Sequence, residues 1–217
     1  MTIVTKSIKR KGETLVMTNQ RAVFWESHKT LILSDLHIGK AAHFRKHGIP
    51  IPVDVLHADL QRLEMLIQFF NCTSLTIVGD LFHAGANGEI EMFKEWKNKF
   101  EVLSIDLIKG NHDRLSNKMY DEIGLNVYKP VKHVPPITFI HDTNPDETNK
   151  FCISGHTHPG VTIKLSGKQY IKLPCYQLSN NQMVLPAFSD FTGLNTKSCK
   201  DDAICYAFTD SAIFAVK

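Results

Sequence analysis

The chain has 217 residues, a formal net charge of +3 and 43% hydrophobic residues, values that are typical of a globular protein. This composition excludes collagen-like, mucin-like and disordered classes, and the chain is long enough to bury a core without stabilising disulfides. No linker-like stretch divides the sequence, so we expect a single domain over residues 1–217. The net charge is too small to indicate an anionic partner by itself.

Cysteine usage and hydropathy set further limits. We expect neither a disulfide framework nor a zinc ribbon, because the five cysteines are odd in number and form no C-x-x-C pair, and we interpret them as free, buried thiols. The first residues lack the apolar core of a signal peptide, and no apolar run approaches the roughly 20 residues of a membrane span. We therefore expect a cytoplasmic protein without a membrane partner; the oligomeric state stays open. The cysteines are Cys72, Cys152, Cys175, Cys199 and Cys205.

Short apolar runs alternate with two helical patterns in the first half of the chain. Residues 14–18 and 22–25 predict a hairpin, and residues 30–33 predict a buried strand followed by a loop rich in Gly, His and Pro. Apolar residues spaced three and four apart predict helices over 54–70 and 88–100. Buried strands are predicted over 75–78 and 103–108.

The second half of the chain is rich in strand patterns. Strands are predicted over 135–140, 151–153 and 161–165, and another over 169–173 after a turn at Gly167. Residues 203–208 and 212–216 predict a closing hairpin. This order of elements predicts an α/β fold with a partly parallel central sheet and helices outside it.

Five of the strand patterns end at residues that can ligate a metal ion. Open α/β sheets place their ligands at strand ends. In three of these patterns a glycine stands directly before the polar residue, where it allows a sharp turn or a close approach to a ligand. Seven donors are too many for one four-coordinate ion, but they suit two ions if one carboxylate bridges them. The donors are Asp35, His37, Asp80, Asn111, His141, His156 and His158.

The mixture of imidazole and carboxylate donors favours Mn, Fe, Zn, Ni or Co over Ca or Mg. Two such ions about 3.5–4 Å apart share a hydroxide and neutralise the charge that develops on a phosphate group. The pattern therefore predicts a phosphoester hydrolase. A set of turn-capping polar residues is the alternative, and the recurrence of donors at five strand ends argues against it.

The same residues resemble the signatures of the calcineurin-like metallophosphoesterase superfamily, in the order D-x-H, G-D-x-x-D, G-N-H-[DE], an isolated His, and G-H-x-H. The resemblance implies an α/β (α+β) fold, a four-layer sandwich of two mixed β-sheets flanked by helices. It implies two divalent ions, Mn²⁺ first among the candidates. In the implied assignment the first ion is held by Asp35, His37 and His158, the second by Asn111, His141 and His156, and Asp80 bridges the two.

The resemblance also implies roles for residues around the ions. His112 stabilises the transition state or protonates the leaving oxygen, and Asp113 orients it. His83 stands where many relatives have Asp. It is not one of the direct ligands, so it is expected to influence the site by contacting the ligating residues.

Residues 39–52, the segment GDLFH and residues 185–193 are similar to the bacterial ligase-associated DNA-damage-response endonucleases. This likeness implies hydrolysis of a DNA phosphodiester by in-line attack of a metal-bridging hydroxide, in the company of a repair ligase and helicase. Asp190 and Thr192 bear on the site by the same likeness. Six residues form either a basic rim for a phosphate backbone or a solvated loop: Lys40, His43, Arg45, Lys46, His47 and Arg114.

Other functions remain open at this point. A small-molecule phosphodiesterase or phosphomonoesterase would use the same site, although GDLFHAG and GNHD differ from the G-D-x-x-D-R-G and G-N-H-E of protein phosphatases. A non-catalytic protein-binding scaffold is a minor alternative that the retained donors disfavour. The sequence shows no interleaving of basic and aromatic residues of the kind that binds single-stranded nucleic acid.

Overall fold

Seven strands form the first sheet, sheet I, in the same order as in the chain. A computed structural model describes residues 2–52, 54–83, 88–142, 150–197, 199 and 202–216. Strands β1 to β4 of sheet I pair antiparallel and β4 to β7 pair parallel. The strands are β1 Thr5–Arg10, β2 Glu13–Thr18, β3 Val23–Trp25, β4 Thr30–Leu33, β5 Ser74–Val78, β6 Ser104–Ile108 and β7 Asn126–Tyr128.

The second sheet, sheet II, has eight strands in the order β15-β14-β12-β13-β10-β9-β8, with β11 paired to β12 beside this path. It is also mixed, since β9, β10 and β13 are parallel and the other pairs antiparallel. The strands are β8 Val131–Val134, β9 Ile137–Ile140, β10 Phe151–Ser154, β11 Gly160–Lys164, β12 Tyr170–Leu178, β13 Gln182–Val184, β14 Ile204–Phe208 and β15 Ile213–Val216.

Four α-helices connect the parallel strands of sheet I. Helices α1 (Lys40–Lys46) and α2 (Val55–Phe70) lie between β4 and β5, α3 (Gly88–Asn98) between β5 and β6, and α4 (Asn117–Ile123) between β6 and β7. Parallel neighbours require such crossover connections, and the described α-helices supply them between β4 and β7. None of the described helices is long and apolar enough to cross a membrane.

Two large cores hold the layers together. Between the sheets pack residues such as Trp25, Phe139 and Tyr176, each at most 1% exposed. The other core lies between sheet I and helices α2, α3 and α4, where it includes Leu63 and Phe93. Because sheet I is covered on both faces, its central strands are continuous apolar runs, as the sequence predicted for residues 30–33 and 75–78.

The two mixed sheets with their flanking helices confirm the predicted architecture. The helices with buried apolar residues in the large core pack on sheet I. Over the described residues, the outer face of sheet II is covered by β11, whose Val161 packs with Cys175, Cys205 and Ala207. In that part of the chain a strand thus occupies the position of the second helical layer.

Several short elements were absent from the sequence prediction. Strand β1 has five polar residues out of six, α1 and α4 have seven residues each, and β7, β8 and β13 have three or four. Such elements are too short or too polar for a periodicity signal, and tertiary pairing decides them. Helix α1 replaces part of the loop predicted after the first motif, between Gly39 and Gly48.

The prediction of free cysteines is wrong for one pair. Cys199 and Cys205 form a disulfide, six residues apart, at the start of β14. An odd number of cysteines argues against complete pairing, but it is compatible with one local disulfide. Cys72, Cys152 and Cys175 are outside this disulfide, and burial raises the pKa of the Cys72 and Cys175 thiols to about 12, which agrees with their interpretation as inert apolar side chains.

Candidate metal centre

Metal-capable side chains collect where the two sheets meet at one end. Strands β4 and β5 of sheet I and strands β9 and β10 of sheet II are each followed by such residues. They form two groups, and within each group the donor atoms lie within 4.8 Å of one another. Group A comprises Asp35, His37 and His158, and group B comprises Asp80, His141 and His156.

Each group draws on both sheets. In group A, the Nε2 atom of His158 lies 3.2 Å from Oδ1 of Asp35 and 3.4 Å from Nε2 of His37. His158 follows β10 of sheet II, whereas Asp35 and His37 follow β4 of sheet I. Donor atoms that share one ion at about 2.0–2.2 Å lie roughly 3–4 Å apart, so the spacing fits a bound transition metal.

Group B has the same dimensions. Nε2 of His141 lies 3.4 Å from Oδ2 of Asp80 and 3.3 Å from Nδ1 of His156. Nδ1 of His141 lies 2.8 Å from the carbonyl oxygen of Val78. Donation of the Nδ1 proton to that carbonyl leaves the lone pair of Nε2 free to face the group, which is the usual arrangement of a ligating histidine.

The two groups are joined by backbone contacts. The N–H of His156, in group B, donates to Oδ2 of Asp35, in group A, at 3.1 Å. Oδ1 of Asp35 is buried and accepts no hydrogen bond from the described residues. A buried carboxylate oxygen without a hydrogen bond costs free energy unless another positive group satisfies it, so this atom fits a metal ligand.

The donors are carried on unusual backbone. Five of the six residues in the two groups have positive φ angles, from 47° to 67°. Aspartate and histidine tolerate this left-handed conformation better than most residues, and such strain clusters at functional sites. The five are Asp35, His37, Asp80, His156 and His158.

Glycines before the motifs give the donors room. A Cβ at Gly79 would lie 2.0 Å from Nδ1 of His141, and one at Gly110 would lie 2.1 Å from Oδ1 of Asp80. A Cβ at Gly155 would lie 2.6 Å from Oδ2 of Asp35. These glycines were expected from the sequence to allow a close approach. In each case the group that approaches is a donor side chain.

Electrostatics keep group B charged in the absence of an ion. Burial alone would raise the pKa of Asp80, but the hydrogen bonds from His141 and the N–H of His112 outweigh it and lower that pKa to about 2. Burial would lower the pKa of His141, yet the contact with Asp80 prevails and raises it to about 9. In group A, burial lowers the pKa of His37 to about 3, so this imidazole is neutral and able to ligate.

The segment after β6 lies against group B. Nε2 of His112 is 4.0 Å from Oδ2 of Asp80, and His112 is partly exposed. Asn111, beside it, is exposed. Asp113 is buried, and its two oxygens accept the N–H groups of Phe82 and Gly110, both at 2.9 Å. The hydrogen bonds of Asp113 therefore fix the loop that carries His112, and burial raises the pKa of this carboxyl to about 6.

His83 packs against the rings of other histidines beside the metal-capable groups. Its ring stacks on His112 with centroids 4.6 Å apart, and its centroid is 5.5 Å from that of His37. Burial, followed by the charges of His112 and Lys40, lowers the pKa of His83 to about 4. The ring is therefore neutral near pH 7.

The predicted basic rim is only partly available to a substrate. Lys40 is half-buried and feels the charges of Asp35 and Asp80, although burial lowers its pKa. His43 is exposed, 5.9 Å from His83 between ring centroids. Arg45, by contrast, pairs with Glu89 at 2.7 Å.

The remaining three rim residues are exposed. Nε of Arg114 donates to the carbonyl of Asn111 at 3.1 Å, and this side chain is exposed. Lys46 and His47 are exposed at the end of α1, where Nδ1 of His47 lies 2.8 Å from the carbonyl oxygen of His43. Lys40 is thus the rim residue that interacts with metal-capable side chains, whereas His43 neighbours His83 and Arg114 contacts the backbone of Asn111.

An ion network around the buried Arg62 connects helix α2 to residues 188–190 next to the centre, and it was not predicted from the sequence. Arg62 of α2 is 5% exposed and contacts Asp59 at 2.7 Å, Asp190 and the carbonyl of Phe188. Arg21 binds the other oxygen of Asp190 at 2.8 Å. An arginine and an aspartate three residues apart on the apolar side of a predicted helix are the signal that could have revealed the network.

Thr192, the other residue expected to bear on the site, is buried, and its hydroxyl has no hydrogen-bond partner among the described residues. The nearby segment does reach the centre through its backbone. The N–H of Phe188 donates to the carbonyl of Ser34 at 2.8 Å, and that of Ser189 donates to the carbonyl of Asp35 at 3.3 Å.

Comparison with known proteins agrees with this geometry. The family model described as calcineurin-like phosphoesterase matches residues 28–203. The structure of Pseudomonas putida nuclease MPE is similar over 98% of this chain and 100% of that one, with a TM-score of 0.82 and 27% identity. Yfce, a phosphoesterase from E. coli, is more distant, with a TM-score of 0.47 and 14% identity over 86% of this chain and 97% of its own. No curated protein sequence matches the chain.

The fold, the two donor groups and the family match together define a metal-dependent phosphoesterase. The chain belongs to the calcineurin-like phosphoesterase family. Within the solved structures compared above, its likeness to the Pseudomonas putida nuclease covers nearly the whole of both chains.

Proposed function

We propose that the protein is a dinuclear phosphodiesterase that cleaves DNA. The observation that carries this proposal is the adjacency of two three-donor groups linked by the hydrogen bond between His156 and Asp35. One group would suffice for a single catalytic ion, whereas two neighbouring groups suit the paired ions of phosphoester hydrolysis.

In this proposal group A holds one ion and group B the other, and Asn111 completes the ligands of the second ion. Asp80 would bridge the two, because its Oδ2 faces His141 of group B and its charge also acts on His37 of group A. The donor set favours Mn²⁺, with Fe, Zn, Ni and Co as the other candidates. Bound at these residues, such ions supply Lewis acidity and a nucleophilic water near neutral pH.

The remaining residues handle the substrate. His112 is partly exposed beside Asp80, so its imidazole can hydrogen-bond to a phosphate oxygen or give a proton to the leaving oxygen. Asp113 holds the loop of His112 through Gly110. Lys40, His43 and Arg114 place positive or hydrogen-bonding groups at the rim, where a phosphate backbone is attracted. Arg45 contributes by fixing α1 through its ion pair with Glu89.

Likeness to a nuclease over 98% of the chain supports a nucleic acid as the substrate. We further propose a cytoplasmic role beside a DNA-repair ligase or helicase, which follows from the likeness of residues 39–52 and 185–193 to the ligase-associated endonucleases. This wider role depends on the DNA substrate.

The proposal is tested by the nicking of supercoiled plasmid DNA by protein reconstituted with Mn²⁺, with metal content measured in parallel. We expect two equivalents of bound metal and nicking that Asp80→Asn reduces at least 100-fold. The matched control is Asp54→Asn, an exposed carboxylate just before α2.

Hydrolysis of bis- and mono-p-nitrophenyl phosphate is measured with the same preparations. Turnover of the diester without plasmid nicking would favour a small-molecule phosphodiesterase, and preference for the monoester a phosphomonoesterase. A protein that binds neither metal nor any phosphoester would support the scaffold alternative.

A further inference from the structure

A two-stranded ribbon leaves sheet II close to the metal centre. Strand β11 and the first five residues of β12, Tyr170 to Pro174, pair only with each other among the described strands. Pairing of β12 with β14 starts at Cys175, and its pairing with β13 starts at Gln177. We name residues 160–174 the ribbon. It begins two residues after His158 of group A.

The ribbon is strongly basic. It carries Lys164, Lys168 and Lys172 and no acidic residue, so its charge of +3 equals the formal charge of the whole chain. All three lysines are exposed. A positive segment without compensating carboxylates attracts a polyanion, and the attraction is strongest at low ionic strength.

An aromatic side chain lies among these lysines. Tyr170 is 61% exposed and stands directly opposite Lys164, while Lys172 is opposite Thr162 on the same face. The other face carries Val161 and its neighbours, which pack on the small cluster over sheet II. The outer face therefore interleaves basic and aromatic groups, and residues 168–172 already carry this alternation in the sequence, where it was overlooked.

The ribbon is close enough to the metal centre to contact the same DNA molecule. Lys164 is six residues beyond His158, which at about 3.3 Å per residue is at most about 20 Å along the strand. This length corresponds to roughly six base pairs of duplex DNA, and a two-stranded β-ribbon fits the major groove. Lysines on a strand edge also prevent unwanted sheet pairing, but that role needs no exposed tyrosine between them.

Another basic turn serves as a comparison. Lys9 is the penultimate residue of β1, and Lys11 follows its last residue, Arg10, which pairs with Glu13. The register places this turn at the level of Trp25 and Thr30, the start of β4, whereas the metal donors follow the end of β4. It therefore has a similar charge at the opposite end of the sheet.

We propose that the ribbon is a DNA-binding arm that holds the phosphate backbone on one side of the cleavage point. This inference rests on the proposed DNA phosphodiesterase activity and extends it. The lysines bind phosphates, and Tyr170 stacks on an exposed base or packs against a sugar. Both contacts act on long substrates and leave a small diester unaffected.

The test compares a ribbon variant, Lys164→Gln with Lys168→Gln and Lys172→Gln, with the control Lys9→Gln with Lys11→Gln in the Mn²⁺-loaded protein. Affinity for a hydrolysis-resistant 30-base-pair phosphorothioate duplex is measured between 50 and 200 mM salt. We expect the ribbon variant to bind at least tenfold more weakly and its salt slope to fall by about two to three. Turnover of bis-p-nitrophenyl phosphate stays unchanged, as do all properties of the control. Tyr170→Ser should weaken binding to gapped DNA severalfold.

The outcomes separate the two proposals. If the wild-type protein cleaves DNA and the ribbon variant binds and cleaves it equally well, the arm is refuted and the nuclease function stands. If the wild-type protein hydrolyses the small diester but never binds DNA, both proposals fail. Loss of binding to phosphatidylglycerol vesicles with unchanged DNA affinity would assign the ribbon to an anionic membrane surface and refute the arm.

Discussion

The imidazole of His83 lies nearly parallel to that of His112, with ring centroids 4.6 Å apart and planes inclined by 24°. The superfamily signature G-D-x-x-D has Asp where this chain has His83, and a carboxylate cannot stack as an aromatic ring does. Because burial lowers the pKa of His83 to about 4, the contact at neutral pH is that of a neutral ring rather than of a charge. The orientation of the proposed catalytic imidazole thus depends on packing.

We predict that His83→Ala lowers kcat for bis-p-nitrophenyl phosphate about three- to tenfold, with little change in KM, because a lost ring contact is worth roughly 0.5–1.5 kcal/mol. His83→Phe keeps a ring of similar shape and should recover most of the rate. Steady-state kinetics of the three proteins provide the measurement. Equal loss in the Ala and Phe variants would show that the nitrogens of His83, and not its stacking, matter.

Gly110 provides a test of how the second group is built. The Cβ of Gly110→Ala would lie 2.1 Å from Oδ1 and 2.5 Å from the backbone nitrogen of Asp80, so the Asp80 carboxylate has to move. We predict a tenfold or larger loss of phosphodiesterase activity, lower metal content and a loss of about 1–3 kcal/mol in the free energy of unfolding. Activity, metal analysis and urea denaturation measure the three effects.

Gly88→Ala is the matched control, since a Cβ there meets no atom within 4 Å and its φ is not positive. It should leave activity and metal content unchanged. Full activity in Gly110→Ala would contradict the assignment of Asp80 to the metal centre.

Metal loading should depend on pH through His141. The pKa of this residue is about 9 in the metal-free protein, so an ion entering group B below pH 9 displaces a proton. We predict that the apparent affinity rises with pH by up to tenfold per unit and levels off above about pH 9. Titration calorimetry in two buffers of different ionisation enthalpy should detect about one proton released per protein at pH 7.5.

The stability of the metal-free protein should change in the opposite direction. Because the pKa of His141 is raised above its ordinary value of 6.5, its stabilising contribution is complete below pH 6.5 and lost as the pH rises through 9. Urea denaturation in the presence of a chelator measures this slope. His141→Gln should remove both the proton release and this part of the slope; a variant that retains both would show that another group titrates.

Arg62 should be critical for stability although it touches no metal donor side chain. It joins α2 to Asp190 and to the carbonyl of Phe188, within the segment that hydrogen-bonds to the backbone of Asp35. We predict that Arg62→Met lowers the free energy of unfolding by about 3–5 kcal/mol, because it leaves the buried carboxylate of Asp59 without its ion-pair partner. Arg114→Met, at an exposed position, should change it by less than about 0.5 kcal/mol. A difference of less than 1 kcal/mol between the variants in urea denaturation would refute this role.

Much of the architecture was predictable because the central elements have strong local signals. The stripe from Leu56 to Phe70 gave α2 within one residue, and the apolar runs before Asp35 and Asp80 gave β4 and β5. The donors themselves were identified by residue type and order alone, since strand ends leave few alternatives for clustered Asp and His.

Other features arise only from tertiary pairing. The ribbon is one example: Lys164 and Tyr170 are separated by a turn in sequence and become neighbours when β11 pairs with β12. The pairing of Arg45 with Glu89 likewise depends on how α1 docks near α3, and no spacing rule predicts it. Neither pairing produces a hydrophobic period, so neither is visible in the sequence pattern.

Each donor group takes some of its atoms from sheet I and the rest from sheet II. Catalytic competence is therefore a property of the closed sandwich rather than of either half. A slip of one layer against the other by a single ångström would spread the donors of both groups at once. Partly opened forms of the chain, such as those sampled during heating or synthesis, should consequently be inert, so that hydrolysis awaits completed folding.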